Sequence, residues 1–334
     1  MIKNNIVTII CCGIILFVLL NVNSISNTLA SILENNPTLV IADTNEYTKD
    51  YDFEFVKLSD NYIPYSYQDL KNIIFSTINN GWDTFTFYCP NEYENCIKDV
   101  DNITNDSTLI SHINNYVHPY NSIGVHPSIK DEKIPAMRTS ISSSGEVTIY
   151  VEHFYNDEDI AKINEEVDKI INKVVSSEDD DYTKLKKIHD YIVNNTRYDV
   201  EANEKDESKY DSKRATGTLL EHYATCNGYT DAMAIILSRL GYKNFKVATT
   251  PEEISYESTG HIWNAVFFDN HWVHIDLTWD DPVSDDGKDY IYHKYFLVNN
   301  EEMKEADSGE VKIEEHNFDK TIYIEFKDTN LETE

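Results

Sequence analysis

Positive charge is scarce in this chain. Its 334 residues hold 28 lysines and arginines against 59 aspartates and glutamates, a formal net charge of -31 with a pI near 4.6. Neutralising phosphates needs clustered lysine and arginine, so nucleic acid is excluded as a partner; the same balance favours solubility and basic partners. Glycine-rich phosphate loops and internal repeats are missing. No cluster has zinc-ligand spacing, and the acidic runs at 177–181 and 284–287 lack the spaced oxygen ligands of a calcium loop. These runs read as solvated loops, and no metal or other cofactor is expected.

Long hydrophobic runs are also wanting. The apolar stretch from Ile6 to Leu20, behind Lys3, is short for a membrane span, and Thr28, Leu29 and Ala30 offer small residues suited to signal-peptidase cleavage. Residues 1–30 are expected to be a signal peptide cleaved after Ala30, or else an uncleaved anchor and the only membrane contact. Either places the protein outside the cytoplasm, secreted or at the cell surface. Cysteine is sparse as well. Cys11 and Cys12 sit inside the apolar run without a lipobox-like leucine before them, which argues against lipidation. Cys89 and Cys96, seven residues apart, can close a local disulfide or remain two unpaired thiols, and Cys226 is left over.

What remains has room for about two domains. Residues 31–155 read as an N-terminal α+β region, with a helix from Tyr67 to Asn79 and strands from Asp83 to Tyr88 and Val147 to His153. From 156 to 334 a second domain begins with helices marked by Ile160, Ile163, Val167, Ile170 and Val174, then by Leu185, Ile188 and Ile192; the 177–181 run separates them. Strands follow, at 295–298 and 321–326 among others, so helices precede strands in an α+β order. The 23 tyrosines are scattered and read as packing rather than a carbohydrate platform.

Three residues could assemble a thiol acyl-transfer site. Cys226 opens a helical pattern (Tyr229, Ala232, Met233, Ile236, Leu237, Leu240) that Gly241 ends, so it sits where unpaired amides and the helix dipole favour thiolate. His261 to Phe268 and His271 to Trp279 read as one hairpin about an Asp269-Asn270 turn. In that register Phe268 faces His271, Ala265 faces His274 and Trp263 faces Asp276. Ile262, Val266, Val273, Ile275 and Leu277 then share the core face, and His261, Trp263, His274 and Asp276 share the other. His261 is the diagonal neighbour of Asp276, within reach of an imidazole–carboxylate pair. Such a carboxylate fixes the base that activates the thiol. Trp263 is expected to cover the His261–Asp276 bond from water or to pack under a neighbouring loop. Asn227 and Tyr229, beside the cysteine, are further candidates for substrate binding or support.

The run from about Tyr182 to Val298 resembles the transglutaminase-like superfamily of cysteine acyltransferases and peptidases. The matching stretches are Lys-Ile-His-Asp-Tyr-Ile-Val-Asn-Asn-Thr-Arg-Tyr-Asp (187–199), Cys-Asn-Gly-Tyr (226–229), His-Ile-Trp-Asn (261–264) and Trp-Val-His-Ile-Asp-Leu-Thr-Trp-Asp-Asp-Pro (272–282). Asn227 and Thr225 depart from residues common in relatives. The resemblance implies a papain-like α+β core, its helix-borne cysteine packed on an antiparallel sheet carrying the histidine and aspartate. It makes Cys226 the nucleophile, His261 the general base and then acid, and Asp276 the orienting carboxylate. The expected activity is cross-linking, deamidation or proteolysis of protein or peptide amides, with cell-wall-associated proteins among the candidate partners. The alternative is a catalytically idle cell-surface module that binds peptides in the same groove.

Overall fold

The computed structural model describes residues 62–124, 137–205, 208–249, 260–283, 290–308 and 313–327. The expectations for residues 1–30 lie outside them. Among the described residues no helix is long and apolar enough to cross a membrane.

The first layer follows from two periodicities. Leu70, Ile73, Ile74 and Ile78 recur at helical spacing along α1 (Tyr67–Asn79), which starts where the Ser66 hydroxyl accepts the Asp69 N–H. In β1 (Thr84–Tyr88) strict alternation turns Phe85 and Phe87 inward. After α2 (Cys96–Thr104) and α3 (Ser107–Tyr116) come β2 (Met137–Ile141) and β3 (Glu146–Val151), which form an antiparallel sheet in the order β1-β3-β2. The pairs Phe85–Ile149 and Phe87–Val147 pack on α1. The strand expected to reach His153 stops at Val151, and His153 makes only an isolated bridge to Ile123. Cys89 and Cys96 form a disulfide beside this core.

The second layer begins with α4 (Asp157–Val174), capped by Asn156, and α5 (Asp181–Asn195), capped by Asp180. The acidic run before α5 is therefore loop and cap. Next come β4 (Arg197–Tyr198), α6 (Val200–Lys205), a π-helical turn at Gly217–Glu221, β5 (Tyr223–Ala224), which pairs in parallel with β4, and α7 (Cys226–Arg239). The chain ends in β6 (Asn244–Ala248), β7 (Ile262–Phe268), β8 (His271–Ile275), α8 (Leu277–Asp280), β9 (Phe296–Val298) and α9 (Asn300–Asp307). The strands make an antiparallel sheet in the order β6-β7-β8-β9. The architecture is α+β.

The β7–β8 hairpin has the expected register, with Ala265 opposite His274 and Phe268 opposite His271. Its turn residues Asp269 and Asn270 both have positive φ (46° and 68°), as a type I′ turn requires. The strand reading to Trp279 fails at Asp276, because that side chain accepts the Thr278 and Trp279 N–H groups and starts α8 instead. The ladder therefore ends at Asn264–Ile275, one pair before Trp263–Asp276.

Val266, Val273, Ile275 and Leu277 pack on α7 and, beyond it, α4 and α5. The opposite face, with its histidines, is equally buried: Trp263 and Ala265 join Phe245, Tyr295, Tyr323 and Phe326. The expected strand at 321–326 is a turn leading into a 3-10 helix at Ile324–Phe326. Tyr323 and Phe326, three apart, fall on one side of a tight turn, and both insert into this layer. The Tyr323 hydroxyl accepts the Ala248 N–H on edge strand β6, at 3.0 Å.

Within that layer His274 is neutral by its partners. Trp263 Nε1–H can only donate, so His274 Nδ1 accepts at 3.0 Å, and Nε2–H donates to Asn300 Oδ1 at 2.9 Å. Burial pushes its pKa down to about 3. On unfolding His274 takes up a proton near its free value of about 6.5, so its contribution to stability falls as pH drops below that point, by up to about 2 kcal/mol at about pH 5. His274→Gln removes the titration, and the stability gap between wild type and variant in urea melts is expected to narrow by up to that amount (about 2 kcal/mol) between about pH 7.5 and 5; a constant gap would contradict the assignment. Opening the Cys89–Cys96 bond by double substitution to serine is expected to lower stability by about 2 kcal/mol, the loop-closure value for so short a ring. Coincident melts of the two proteins without reductant would show that the bond contributes nothing.

Candidate active site

Cys226 is the one free cysteine among the described residues, and it is half-buried. It begins α7. Thr225 is extended and donates its N–H to Ser212 O at 2.8 Å, while the Tyr229 N–H bonds back to Thr225 O at 3.1 Å. The amides of Cys226, Asn227 and Gly228 precede that first helical bond, so they point out of the helix N-terminus. Gly228 is required there: a Cβ would lie 2.3 Å from Ser212 O and 2.8 Å from Thr218 Oγ1. The supporting loop hangs on Asp199, whose Oδ2 accepts Ser208 at 2.5 Å and also Ser212, and whose N–H donates to Ala224 O at 2.8 Å.

Two bonds lock this helix to the hairpin. Thr230 Oγ1 donates to Ile262 O at 3.0 Å, and Asn264 Nδ2 donates to Thr230 O at 2.9 Å. Behind them Lys246 meets Asp231 at 2.9 Å, and Asp231 also accepts the Tyr155 hydroxyl at 2.8 Å. Thr249 extends the β6–β7 ladder and anchors the backbone of His261 from both sides.

The structure brings Cys226, His261 and Asp276 together. His261 Nε2 donates to Asp276 Oδ2 at 2.5 Å, which leaves Nδ1 as the ring nitrogen available to the nearby Cys226. Asp276 has two jobs on two oxygens. Oδ1 caps α8 through Thr278 N–H at 2.9 Å and Trp279 N–H at 3.2 Å; Oδ2 takes the imidazole. Burial works against charge on both groups, yet the Asp276 charge, the bond to Asp276 and the neighbouring Cys226 hold His261 well above the ordinary histidine range. In the same way the charge of His261, with hydrogen bonds from His261 and His316, keeps Asp276 well below the usual carboxylate range despite its burial.

Trp263 lies beside His261 and also under the C-terminal segment. Its ring stacks on His261 (centroids 5.7 Å apart, planes at 18°), and it also packs under Phe318 and His316. At 1% exposure it shuts water away from that side of the imidazole. Asn227 is exposed at the helix start. Tyr229 points into the core and its hydroxyl donates to Asp281, so it ties α7 to the end of α8.

Two neighbours escaped the sequence reading. The half-buried Tyr198 hydroxyl is held above its usual range by burial first and then by Cys226, Glu315 and Asp276 nearby; the Arg-Tyr-Asp run that carries it was visible, but not its parallel pairing beside the cysteine. His316 donates to Asp276 Oδ2 at 2.9 Å from a segment 40 residues further on. Among the described residues two trios could hold a metal ion: His261, Asp276 and His316, and His189, Asp190 and His293. In the first the donor atoms satisfy one another. In the second Lys186 Nζ lies 2.5 Å from Asp190 and 3.0 Å from His293, so a protein cation already takes that place.

Residues 168–277 match a family model described as the transglutaminase-like superfamily. No curated protein sequence matches the chain. Among solved structures, a crystal structure of a TGase aligns at 16% identity over 46% of this chain and 48% of its own, with a TM-score of 0.32. A provisionally assigned cysteine protease from Cytophaga hutchinsonii aligns at 12% identity over 42% of this chain and 61% of its own, with a TM-score of 0.27. The chain thus spans about half the length of the first and less than two thirds of the second. Cys226, His261 and Asp276 all fall inside the span that matches the transglutaminase-like superfamily model.

Proposed function

We propose that the chain is an exported transglutaminase-like cysteine enzyme that transfers or hydrolyses acyl groups of protein or peptide amides through a thioester on Cys226. One observation carries the reading: a free thiol at a helix N-terminus stands close to an imidazole whose Nε2 lies 2.5 Å from a buried carboxylate oxygen. Cys226 sulfur attacks the amide carbon and the carbonyl oxygen takes up negative charge. N–H groups at the start of α7 face that oxygen, each donor of this kind contributing roughly 3 kcal/mol in comparable sites. His261 then delivers its Nδ1 proton to the leaving nitrogen, the C–N bond breaks, and a thioester remains. An amine or a water attacks next, His261 removes its proton, and the thiolate leaves. Asp276 holds the imidazole in the tautomer both steps need. Export is supported by the N-terminal apolar run and by the Cys89–Cys96 disulfide, which suits an oxidising compartment.

Incubating the full chain with candidate surface proteins and a primary-amine probe, followed by mass spectrometry, separates the three outcomes: amine addition, deamidation and cleavage each change mass differently. Cys226→Ala is expected to reduce all of them to background with an unchanged cooperative melt. Turnover near wild type in that variant would end the thiol-enzyme reading, and binding without any of the three products would favour a peptide-binding module. His261→Ala and Asp276→Asn are expected to be strongly non-additive, the double variant costing little more in kcat than His261→Ala alone, because the carboxylate acts through the imidazole. Additive losses would separate the two roles.

A further inference from the structure

The family match ends at residue 277, yet the Asp276 carboxylate has a partner well beyond it. His316, 5% exposed, donates Nε2–H to Asp276 Oδ2 at 2.9 Å, and its Nδ1 lies 2.7 Å from Asp307 Oδ1. Ionised carboxylates only accept hydrogen bonds, so a ring with a carboxylate at each nitrogen must donate from both and is an imidazolium. The oxygen that orients His261 is therefore shared between two imidazoles whose ring centres are 5.4 Å apart.

We propose that His316, clamped between Asp276 and Asp307, is a positioning residue of the site: it fixes the Asp276 carboxylate and sets the alkaline limit of the Cys226–His261 pair. This rests on the reading of Cys226, His261 and Asp276 as an acyl-transfer centre. The reasoning is electrostatic. A cation bound to Asp276 Oδ2 offsets part of the charge that holds the His261 proton, so His261 releases that proton at lower pH than it would facing an unshared carboxylate. A base that must return its proton in every cycle works best when it is not held too tightly.

The other charged and titratable groups facing the pair fit this arrangement. Asp307, at the end of α9, also accepts the Tyr295 hydroxyl at 3.1 Å, so it is satisfied and stays in place. His274 on β8 is neutral, and the positive charge of His316 nearby helps to keep it so. Tyr198 stands near Cys226, Glu315 and Asp276. Trp263, Trp279 and Tyr295 surround His316 with ring centres 5.2, 5.1 and 4.8 Å away, and its side chain is 1% exposed, so water is kept from its two N–H groups.

The test follows the ring protons directly, in the full chain with 13C-labelled histidines, by NMR titration of His261 in wild type, His316→Gln and Asp307→Asn. His261 is expected to titrate roughly one pH unit higher in His316→Gln, the size expected for removing a unit charge about 5 Å away, and to move the same way by less in Asp307→Asn. The alkaline fall in the rate of Cys226 capture by iodoacetate, an anion drawn to the imidazolium, should move with it. A His261 titration and capture profile unchanged in folded variants would make His316 a purely structural residue and overturn the proposal. Should His316→Gln fail to fold, Asp307→Asn, which keeps the shape and can turn its NH2 to the bare Nδ1 of a neutral His316, decides alone. Wild-type Cys226 that iodoacetate captures no faster than a free thiol at any pH would instead defeat the acyl-transfer reading itself, so the two failures are told apart.

Discussion

The carboxylate of Asp276 is the group on which the rest of the site depends. At 1% exposure it cannot be hydrated, and an unpaired charge in such a place would cost several kcal/mol. It is satisfied from four directions: two backbone N–H groups of α8 on one oxygen and the imidazoles of His261 and His316 on the other. Its own N–H donates to Tyr295 O at 3.0 Å. The start of β7, the end of β8, the approach to β9 and the C-terminal segment are therefore tied together by one residue. Removing it would leave two buried imidazoles and a helix start without their acceptor.

The same device recurs. His189 reaches Asp190 and Asp280 with its two ring nitrogens, each at 3.1 Å, and by the donor argument is also an imidazolium. It joins α5 to α8, and Asp280 Oδ1 accepts the Tyr295 N–H at 3.1 Å. In a chain with so few cations, several of them are kept inside. Lys246 is 8% exposed against Asp231, and Arg214 reaches Asp159, Asp211 and Phe154 O from a half-buried position. Among the described residues the buried Asp231, Asp276, Asp280 and Asp307 each meet a lysine or histidine, while Asp199 and Asp281 accept hydroxyls.

Much of this was legible from local pattern. Helical spacing located α1, α4, α5 and α7 because an apolar stripe is a property of neighbouring residues. The β7–β8 register could be counted from a two-residue turn, and with it the approach of His261 to Asp276. The failures also have local causes. The run 321–326 alternates like a strand, but Tyr323 and Phe326 are equally well placed for a tight turn, and only the occupied edge of β6 decides between them. Strand propensity carried β8 past Asp276, because capping strength depends on whether the following residues turn.

The sequence by itself determined which residues could do chemistry and the short-range geometry that pairs two of them: a cysteine before a helical stripe, and a histidine and an aspartate on one face of a hairpin. Tertiary structure decided the third side of the triad and everything behind it. Cys226 meets His261 only because Thr230 and Asn264 lock α7 to β7, and because Gly228 lets the helix start against the 211–218 loop. His316 finds Asp276 across 40 residues. Hydrogen bonds and charge pairs reach about 3 Å in space and are indifferent to separation along the chain, so a pairing outside a helix turn or a hairpin leaves no periodic trace in the sequence.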